Sequence, residues 1–442
     1  MATLDDIRLL LKRGLADKAV PAALSLSRRR PRDPGALELL AQAYAAAGQH
    51  KTALASYDRL ARLAPKSAKP LADKALLLQQ MGDMQAADEA LRRALRLSPL
   101  NGSLLRMLTA AKTPPDDPIV ARFKEAWEKQ QLSAADRIEA GFGLAKVFGA
   151  QGWDYLNEAN ALQRAAAPWK IADRDAEVTG LLRAMGSGPW PEAPAPAADR
   201  RPIFVTGMPR SGTTLLEQIL SGHADVQGTG ETGLPLRACY SVLVQNGGFR
   251  DVSGLTGAEL ATIGQRYLDG MERFHQATGV FTDKSINTYM IMGLLHHILP
   301  QARVIVVRRD PRDIGLSIYR NFFATGTHGY SNDLADIARY VATMERCVEH
   351  WHAARPEAFL EVRYEDLVTD PEPAIRGMLD YCGLDWDPAC LTPEKNLGAV
   401  KTLSVDQVRS PINPNSVGGW KRHAAALSPL LETLGELTAP WD

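Results

Sequence analysis

The pattern of hydrophobic and polar positions changes near the middle of the chain. Up to about residue 184, apolar side chains recur at spacings of three and four residues, which predicts amphipathic helices. Beyond residue 200, short apolar runs without polar alternation appear at Ile203–Thr206, Val280–Thr282, Val304–Val307 and Phe359–Val362. Such runs are typical of parallel strands that are buried on both faces. We therefore expect a helical first half and an α/β second half, with a site at the carboxyl ends of the strands.

The helical half contains an internal repeat. Three series of residues recur at an interval of 34 positions: Gly14, Gly48 and Gly82; Ala19, Ala53 and Ala87; Pro31, Pro65 and Pro99. A period of 34 with small residues between two helices is the signature of tetratricopeptide repeats. The middle repeat would pack Leu37, Leu40, Ala41 and Tyr44 of its first helix against Ala53, Tyr57, Leu60 and Ala61 of its second.

These patterns predict four segments. Residues 1–112 form three tetratricopeptide repeats, and residues 113–184 continue as helices with a degenerate fourth repeat. Residues 185–200 are rich in proline, glycine and alanine, which interrupt helices, so we expect a linker between domains there. Residues 201–442 form a P-loop-like α/β domain with a central parallel sheet.

Composition narrows the function classes. Of 442 residues, Lys+Arg and Asp+Glu each total 51, so the overall charge does not indicate nucleic-acid binding. The four cysteines show no metal-ligand spacing and favour reduced thiols. The N-terminus lacks the features of a secretion signal, and no apolar stretch of about 18 residues is present. We expect a cytoplasmic protein without a membrane span.

A glycine-bounded loop follows the first apolar run. Gly207 and Gly212 keep the spacing of the Gly-x-x-x-x-Gly-Lys-Ser/Thr nucleotide loop, but Thr213 occupies the lysine position. Backbone N–H groups and the start of the following helix favour an anion here, and Arg210 adds a permanent forked donor. The missing lysine disfavours a γ-phosphate with its magnesium ion.

A second basic segment follows the third apolar run. Arg309 precedes Asp310 and Pro311, which suit the start of a helix, and Ser317 lies about two turns further on. A solvated charged turn is the alternative interpretation. Together with the glycine loop, the segment predicts a nucleotide that carries phosphates at both ends of its ribose.

These motifs resemble those of sulfotransferases that use 3′-phosphoadenosine 5′-phosphosulfate. More narrowly, residues 201–424 resemble bacterial sulfotransferases linked to tetratricopeptide repeats, whose catalytic half is akin to the tyrosylprotein sulfotransferases. The resemblance implies that the 5′-phosphosulfate is held by the loop residues Arg210, Ser211, Gly212, Thr213 and Thr214. It also implies that Arg309 and Ser317 hold the 3′-phosphate and that Tyr364 contacts the nucleotide. A segment that closes over the nucleotide would contribute Ser404 and Lys421.

The resemblance also implies the catalytic residues. Glu231 matches the general base, because an attacking hydroxyl must lose its proton as it reaches sulfur. Lys284 and Arg210 match the cations that stabilise the charge on the departing oxygen, without a metal. His223 is a weaker candidate base, and we interpret His296 and His297 as packing residues.

Two positions depart from the family pattern. Asn321 stands where tyrosylprotein sulfotransferases resemble one another in having an arginine, so neighbouring Arg320 is an alternative clamp for the 3′-phosphate. In the closing segment the lysine follows Trp420 instead of preceding the tryptophan, which leaves the register of Lys421 and Ser404 open.

Three functions remain open at this stage. The first is sulfuryl transfer to a hydroxyl of a peptide tyrosine, carbohydrate, lipid or small phenol, with 3′,5′-bisphosphoadenosine as product. The second is a nucleotide-dependent kinase, and the third is a repeat-based scaffold with an inactive nucleotide domain. The repeats suit a protein or peptide partner, or a second copy of the chain.

Overall fold

The chain divides into two compact units. The computed structural model describes residues 2–194, 196, 199–324, 326–396 and 410–442. One unit extends to Ala165 and the other begins at Ala166. Among the described residues, all strands belong to the second unit. This confirms a helical region followed by an α/β region.

The first unit consists of helices in pairs, and its first six helices follow the predicted period. Its helices are α1 (Leu4–Lys12), α2 (Ala16–Arg29), α3 (Pro34–Ala46), α4 (His50–Leu63), α5 (Lys69–Met81), α6 (Met84–Leu97), α7 (Gly102–Leu108), α8 (Pro118–Glu128), α9 (Ala134–Phe148) and α10 (Trp153–Ala166).

Glycine and small residues explain the helix pairs. Gly14, Gly48 and Gly82 lie between the helices of a pair with φ of 71°, 72° and 86°, a conformation that glycine adopts without steric penalty. In the middle pair, Leu37 is 1% exposed, and Ala41 of α3 and Ala53 of α4 are 0% exposed and belong to one hydrophobic cluster. The predicted small-residue packing is therefore present, while Tyr44 and Ala61 are only partly buried.

The second unit surrounds a sheet with helices. These are α11 (Ile171–Met185), α12 (Thr213–Leu220), α13 (Leu234–Leu243), α14 (Gly257–His275), α15 (Met292–Ile298), α16 (Pro311–Tyr319), α17 (Leu334–Ala354), α18 (Tyr364–Thr369), α19 (Pro371–Cys382) and α20 (Ser428–Leu434).

The main sheet has five parallel strands in the order β2-β5-β1-β6-β7. The strands are β1 (Arg201–Gly207), β2 (Val226–Gly228), β5 (Val280–Asp283), β6 (Arg303–Arg308) and β7 (Leu360–Arg363), and a separate hairpin joins β3 (Val244–Gln245) to β4 (Gly248–Phe249). The four predicted strands are confirmed. Strand β2 was not predicted because its three residues form no apolar run.

Both faces of the sheet are covered, which explains the continuous apolar runs. Along β1, Ile203 and Val205 pack with Leu216 of α12 on one face. Phe204 points to the other face, where its ring centroid lies 5.2 Å from that of Tyr267 in α14. With neighbouring strands about 4.8 Å apart, the loops after β5, β1 and β6 meet at one edge.

The segment 185–200 joins elements within the second unit. We expected it to link two domains, but the unit boundary lies earlier, at residue 165, and α11 belongs with the sheet. Trp190 in this segment is 7% exposed and donates from Nε1 to the Met185 carbonyl at 2.8 Å. Its ring centroid lies 6.2 Å from that of Trp351 in α17. Trp190 therefore docks this segment within the second unit.

Two further observations concern the chain as a whole. Within the described ranges, no helix is both long and apolar enough to cross a membrane. All four cysteines fall in those ranges, where each is buried as a free thiol.

Candidate active site

Each strand of the main sheet is followed closely by a residue that the sequence predicts to belong to the site. Because the five strands are parallel, their carboxyl ends lie along one edge. In the spatial order of the strands, the residues after them are Glu231 (β2), Lys284 (β5), Arg210 to Thr214 (β1), Arg309 (β6) and Tyr364 (β7). The chain therefore presents the predicted proton-transfer residues on one side of β1 and the predicted nucleotide residues on the other.

The loop after β1 has the backbone of an anion cradle. Gly207 and Gly212 have φ of 150° and 110°, and Arg210 adopts a φ of 69°, which is unusual for a residue other than glycine. A Cβ at Gly212 would come within 2.4 Å of the Tyr364 ring. The Oγ of Ser211 is buried and has no hydrogen-bond partner among the described residues. An oxyanion in the loop would satisfy that hydroxyl.

The first turn of α12 completes this cradle. Thr213 and Thr214 begin the helix and are 4% and 7% exposed. Arg210 reaches from the loop to α16, where its Nε donates to Ser317 Oγ at 2.9 Å. Burial and the nearby charge of Arg309 lower the pKa of Arg210 to about 10. Two guanidinium groups held this close favour an anion between them.

Arg309 links the glycine loop to the C-terminal segment. Its Nη1 donates to the Arg210 carbonyl at 2.9 Å and its Nη2 to the Ser416 carbonyl at 2.8 Å. The guanidinium carbon lies 4.3 Å above the ring centroid of Tyr364, whose hydroxyl is 2.8 Å from Ser416 Oγ. The Nε of Arg309 is buried without a partner among the described residues. The Nε of Arg309 is thus left as a donor for a ligand.

Helix α16 begins as predicted. Asp310 caps it by accepting from the Arg312 backbone N–H at 2.9 Å, and Pro311 is its first residue. Ser317 lies within the helix, facing Arg210. Asn321 follows the helix and donates from Nδ2 to the Ser317 carbonyl at 2.7 Å. The amide of Asn321 is therefore engaged with the backbone.

Arg320 forms a basic cluster beside Ser317. Its Nη1 lies 3.5 Å from Nε2 of His423. Burial and the charge of Arg422 lower the pKa of Arg320, and burial followed by the charges of Arg320 and Arg422 lowers the pKa of His423. Positive charge is concentrated here, next to the position where the family pattern has an arginine and this chain has asparagine.

Glu231 and Lys284 form an ion pair. Lys284 Nζ lies 2.5 Å from Glu231 Oε1. The two side chains differ in environment, since that of Lys284 is 1% exposed and that of Glu231 is 54% exposed. The lysine is thus fixed inside the fold while the carboxylate faces solvent, where an acceptor would arrive.

The closing segment docks through its backbone. The N–H groups of Gly418 and Trp420 donate to the two carboxylate oxygens of Asp313 at 2.7 and 2.9 Å. The Lys421 side chain is exposed, and its backbone N–H donates to the Gly418 carbonyl. Ser404 lies outside the described residues. The described part of this segment therefore contributes Ser416 to the cluster around Arg309.

The alternative histidines have structural contacts. His223 Nε2 lies 3.0 Å from the Asp385 carbonyl, and its Nδ1 accepts from the Asp225 backbone N–H at 3.1 Å. His297 Nε2 lies 2.9 Å from the Pro191 carbonyl. Across the part of the chain that is described, no group of three or more His, Cys, Asp or Glu is placed to hold a metal ion.

Three residues near the site were not predicted from the sequence. Ser416 contacts Arg309 and Tyr364, while Glu217 and Asp283 are buried carboxylates beside the Glu231 loop. A signal for Glu217 was available, because it lies four residues after Thr213 and three before Leu220, on the buried face of α12. A charged residue on that face needs a specific partner.

Comparisons with known proteins agree with the predicted assignment. Residues 202–388 match the sulfotransferase family, and residues 4–68 and 40–126 match tetratricopeptide repeat models. The chain carries a sulfotransferase domain. That domain includes all five strands of the main sheet and the loops after them, and the repeats precede it.

Relatives of the sulfotransferase domain occur in bacteria and animals. An uncharacterized protein of Aquifex aeolicus (strain VF5) is 34% identical over 247 residues, which cover 54% of this chain and 32% of that protein. Protein-tyrosine sulfotransferase 1 of Danio rerio is 28% identical over 258 residues, covering 53% of this chain and 71% of that protein. The chain thus spans about a third of the length of the Aquifex protein.

Among solved structures, the chain is similar to the sulfotransferase domain from the Synechococcus PCC 7002 olefin synthase. The identity is 22% and the TM-score 0.38, and the match covers 53% of this chain and 91% of that one.

Proposed function

We propose that this chain transfers a sulfuryl group from 3′-phosphoadenosine 5′-phosphosulfate to an acceptor hydroxyl, with Glu231 as the general base. The observation that carries the proposal is the Glu231–Lys284 pair, which lies on the same sheet edge as the glycine loop and Arg309. The sulfotransferase family match and the relatives named protein-tyrosine sulfotransferase support it.

The cradle fits the two ends of such a donor. The glycine loop offers the unpartnered Ser211 hydroxyl and the start of α12 to a phosphosulfate. Arg309 offers an unpartnered Nε, and Ser317 lies on the adjacent helix, in the place proposed for the 3′-phosphate. Arg320 adds positive charge beside Ser317, where it compensates for the asparagine at position 321.

The proposed chemistry separates the Glu231–Lys284 pair. Glu231 takes the proton of the acceptor hydroxyl while the acceptor oxygen forms its bond to sulfur. The bond between sulfur and the 5′-phosphate oxygen breaks, and bisphosphoadenosine leaves with the electron pair. Lys284 and Arg210 stabilise the negative charge that grows on that oxygen. The exposure of Glu231 lets the acceptor approach from solvent, while burial keeps Lys284 in place.

We propose an aromatic hydroxyl, with peptide tyrosine the leading candidate, as the acceptor. The ring centroid of His328 lies 4.7 Å from that of Phe323. Burial lowers the pKa of His328, and the negative charge of Glu231 partly opposes that effect. In this proposal the two rings form a wall of the acceptor site, which suits a phenolic side chain. The repeats would then bind the protein that carries the tyrosine.

The decisive experiment measures donor binding and transfer separately. Bisphosphoadenosine at about 100 times its Kd should stabilise the fold by about 2.7 kcal/mol, read as a shift in melting temperature. ATP with magnesium should give no shift, and labelled sulfate should appear on a tyrosine peptide but not on its phenylalanine counterpart. A shift with magnesium ATP alone would instead favour the kinase. Binding without transfer to any acceptor class would favour the scaffold.

A further inference from the structure

The loop that carries Glu231 is fastened at its start by a buried carboxylate. We call residues 229–233 the base loop. Glu217 Oε1 accepts from the Gly230 backbone N–H at 2.8 Å and from Thr282 Oγ1 at 3.2 Å. Glu217 is 4% exposed and lies on α12, the helix that follows the glycine loop. The amide just before Glu231 is therefore bound to the element that forms the proposed phosphosulfate site.

A second buried carboxylate holds the end of the base loop. Asp283, which is 0% exposed, accepts from Thr232 Oγ1 and from Ser285 Oγ, both at 2.6 Å. Ser285 Oγ in turn accepts from the Gly233 backbone N–H at 2.9 Å. The residues on both sides of Glu231 are thus fixed, while the Glu231 side chain is 54% exposed.

The Lys284 ammonium pairs with Glu231, and its charge also acts on Glu217. The backbone N–H of Lys284 donates to the Gly230 carbonyl at 2.9 Å. Burial raises the pKa of Glu217, and the positive charge of Lys284 acts in the opposite direction. The buried ammonium therefore interacts with two carboxylates, one buried and one exposed.

We propose that Glu217 is a positioning residue for sulfuryl transfer, a role that rests on the proposed function of Glu231. It fixes the amide before the base, and it remains as a counter-charge for Lys284 when Glu231 turns towards the acceptor. Without it, separation of the Glu231–Lys284 pair would leave a buried ammonium uncompensated, which is costly in a protein interior.

Two variants separate the hydrogen bond from the charge. Glu217→Gln keeps an oxygen acceptor for the Gly230 amide and removes the charge, whereas Glu217→Ala removes both. We expect kcat to fall about tenfold in the first and about a hundredfold in the second, with the Kd for bisphosphoadenosine within threefold of the wild type. Asp336→Asn, which changes a carboxylate of 4% exposure in α17, is the matched control.

A further measurement does not depend on turnover. Hydrogen exchange of the base-loop amides should be faster in Glu217→Ala than in the wild type and unchanged in the control. An unaltered kcat in Glu217→Ala, or a loss of nucleotide affinity parallel to the loss of kcat, would overturn the proposal. If the wild type transfers no sulfuryl group, the proposed function fails. The positioning role of Glu217 would fail as well if the base-loop amides exchanged no faster in Glu217→Ala than in the wild type.

Discussion

The two sides of β1 use charge in different ways. On the side of β6 and β7, Arg309 donates to backbone carbonyls and stacks on Tyr364. Its positive charge acts on the carboxyl groups of Asp313 and Glu365, but it forms no direct ion pair with a described residue. On the side of β5 and β2, Lys284 is paired with Glu231, and Glu217 and Asp283 are buried close by. A cation without a direct carboxylate partner attracts an anionic ligand, whereas paired charges suit proton transfer.

Under the proposed function, this difference divides nucleotide binding from proton transfer along one sheet edge. Substitutions on the β6 side should change nucleotide affinity more than turnover, and those on the β5 side should do the reverse. A substitution that changes nucleotide affinity and turnover to the same degree would show that the division is incomplete.

The largest expected effect is on turnover and comes from the β2 side. Glu231→Gln removes the proton acceptor while keeping the size of the side chain. We expect kcat to fall by about 10²- to 10⁴-fold, with the Kd for bisphosphoadenosine close to that of the wild type. Transfer of labelled sulfate and isothermal titration calorimetry measure the two quantities.

The control for this variant is Glu272→Gln. Glu272 is also an exposed glutamate in an ion pair, with Arg200 at 3.1 Å, but it lies on α14 away from the strand ends. It should keep full turnover. If Glu231→Gln retains wild-type kcat, the base lies elsewhere and the β2 side loses its proposed role.

The buried carboxylates make the β5 side sensitive to pH. Burial raises the pKa of Asp283 from 3.8 to about 6, although hydrogen bonds from Ser285, Thr232 and Tyr267 oppose the rise. The pKa of Asp283 is higher in the folded state than in the unfolded state. Its protonated form therefore contributes its full stabilisation below the pKa of the unfolded state, and this contribution is lost as the pH rises through about 6. The wild type should therefore lose stability relative to Asp283→Asn over this range.

Denaturant unfolding measures this loss. A rise of about two pKa units corresponds to about 3 kcal/mol, so the unfolding free energy of the wild type minus that of Asp283→Asn should fall by up to that amount between pH 4 and 7. Asp225→Asn, at an exposed position, is the control. A difference that stays constant or grows with pH would show that Asp283 is not held in this way.

The sequence located the loop and the helix start on the β1 and β6 side better than the buried carboxylates on the β5 side. Glycine spacing located the loop after β1, and Asp310 with Pro311 located the start of α16, because these signals are local. The roles of Glu217 and Asp283 depend on the pairing of β5 with β2, and β2 is too short to leave a hydrophobic pattern. Such carboxylates become visible only once the tertiary structure buries them.

Ser416 shows the same limit on the nucleotide side. It contacts Arg309 although 107 positions separate them, and no local pattern marks it. The sequence instead directed attention to Lys421, which is exposed, and to Ser404, which lies outside the described residues. Their roles stay predictions, as does a cytoplasmic location. The register of a segment that returns from a distant part of the chain is set by backbone contacts such as those to Asp313.

The next effect tests the β6 side. Arg309→Ala removes a charge-assisted contact and should weaken bisphosphoadenosine binding by about 1.5–3 kcal/mol, which is roughly a tenfold to hundredfold rise in Kd. Turnover at saturating donor should fall much less. Arg303→Ala is the control, because Arg303 begins the same strand at its opposite end and also faces a tyrosine ring, at 5.9 Å. An equal loss of affinity in both variants would remove Arg309 from the site.

The smallest effect tests how the C-terminal segment contributes to binding. Tyr364→Phe keeps the ring beneath Arg309 and removes the hydroxyl that lies 2.8 Å from Ser416 Oγ. A neutral hydrogen bond is worth about 0.5–1.5 kcal/mol, so we expect the Kd for bisphosphoadenosine to rise about two- to tenfold, with kcat unchanged. Tyr381→Phe, in α19, removes a hydroxyl outside the site and should leave the Kd unaltered. If Tyr364→Phe lowers kcat and leaves the Kd alone, the C-terminal segment acts on the chemistry, and the division between the two sides of β1 must be redrawn.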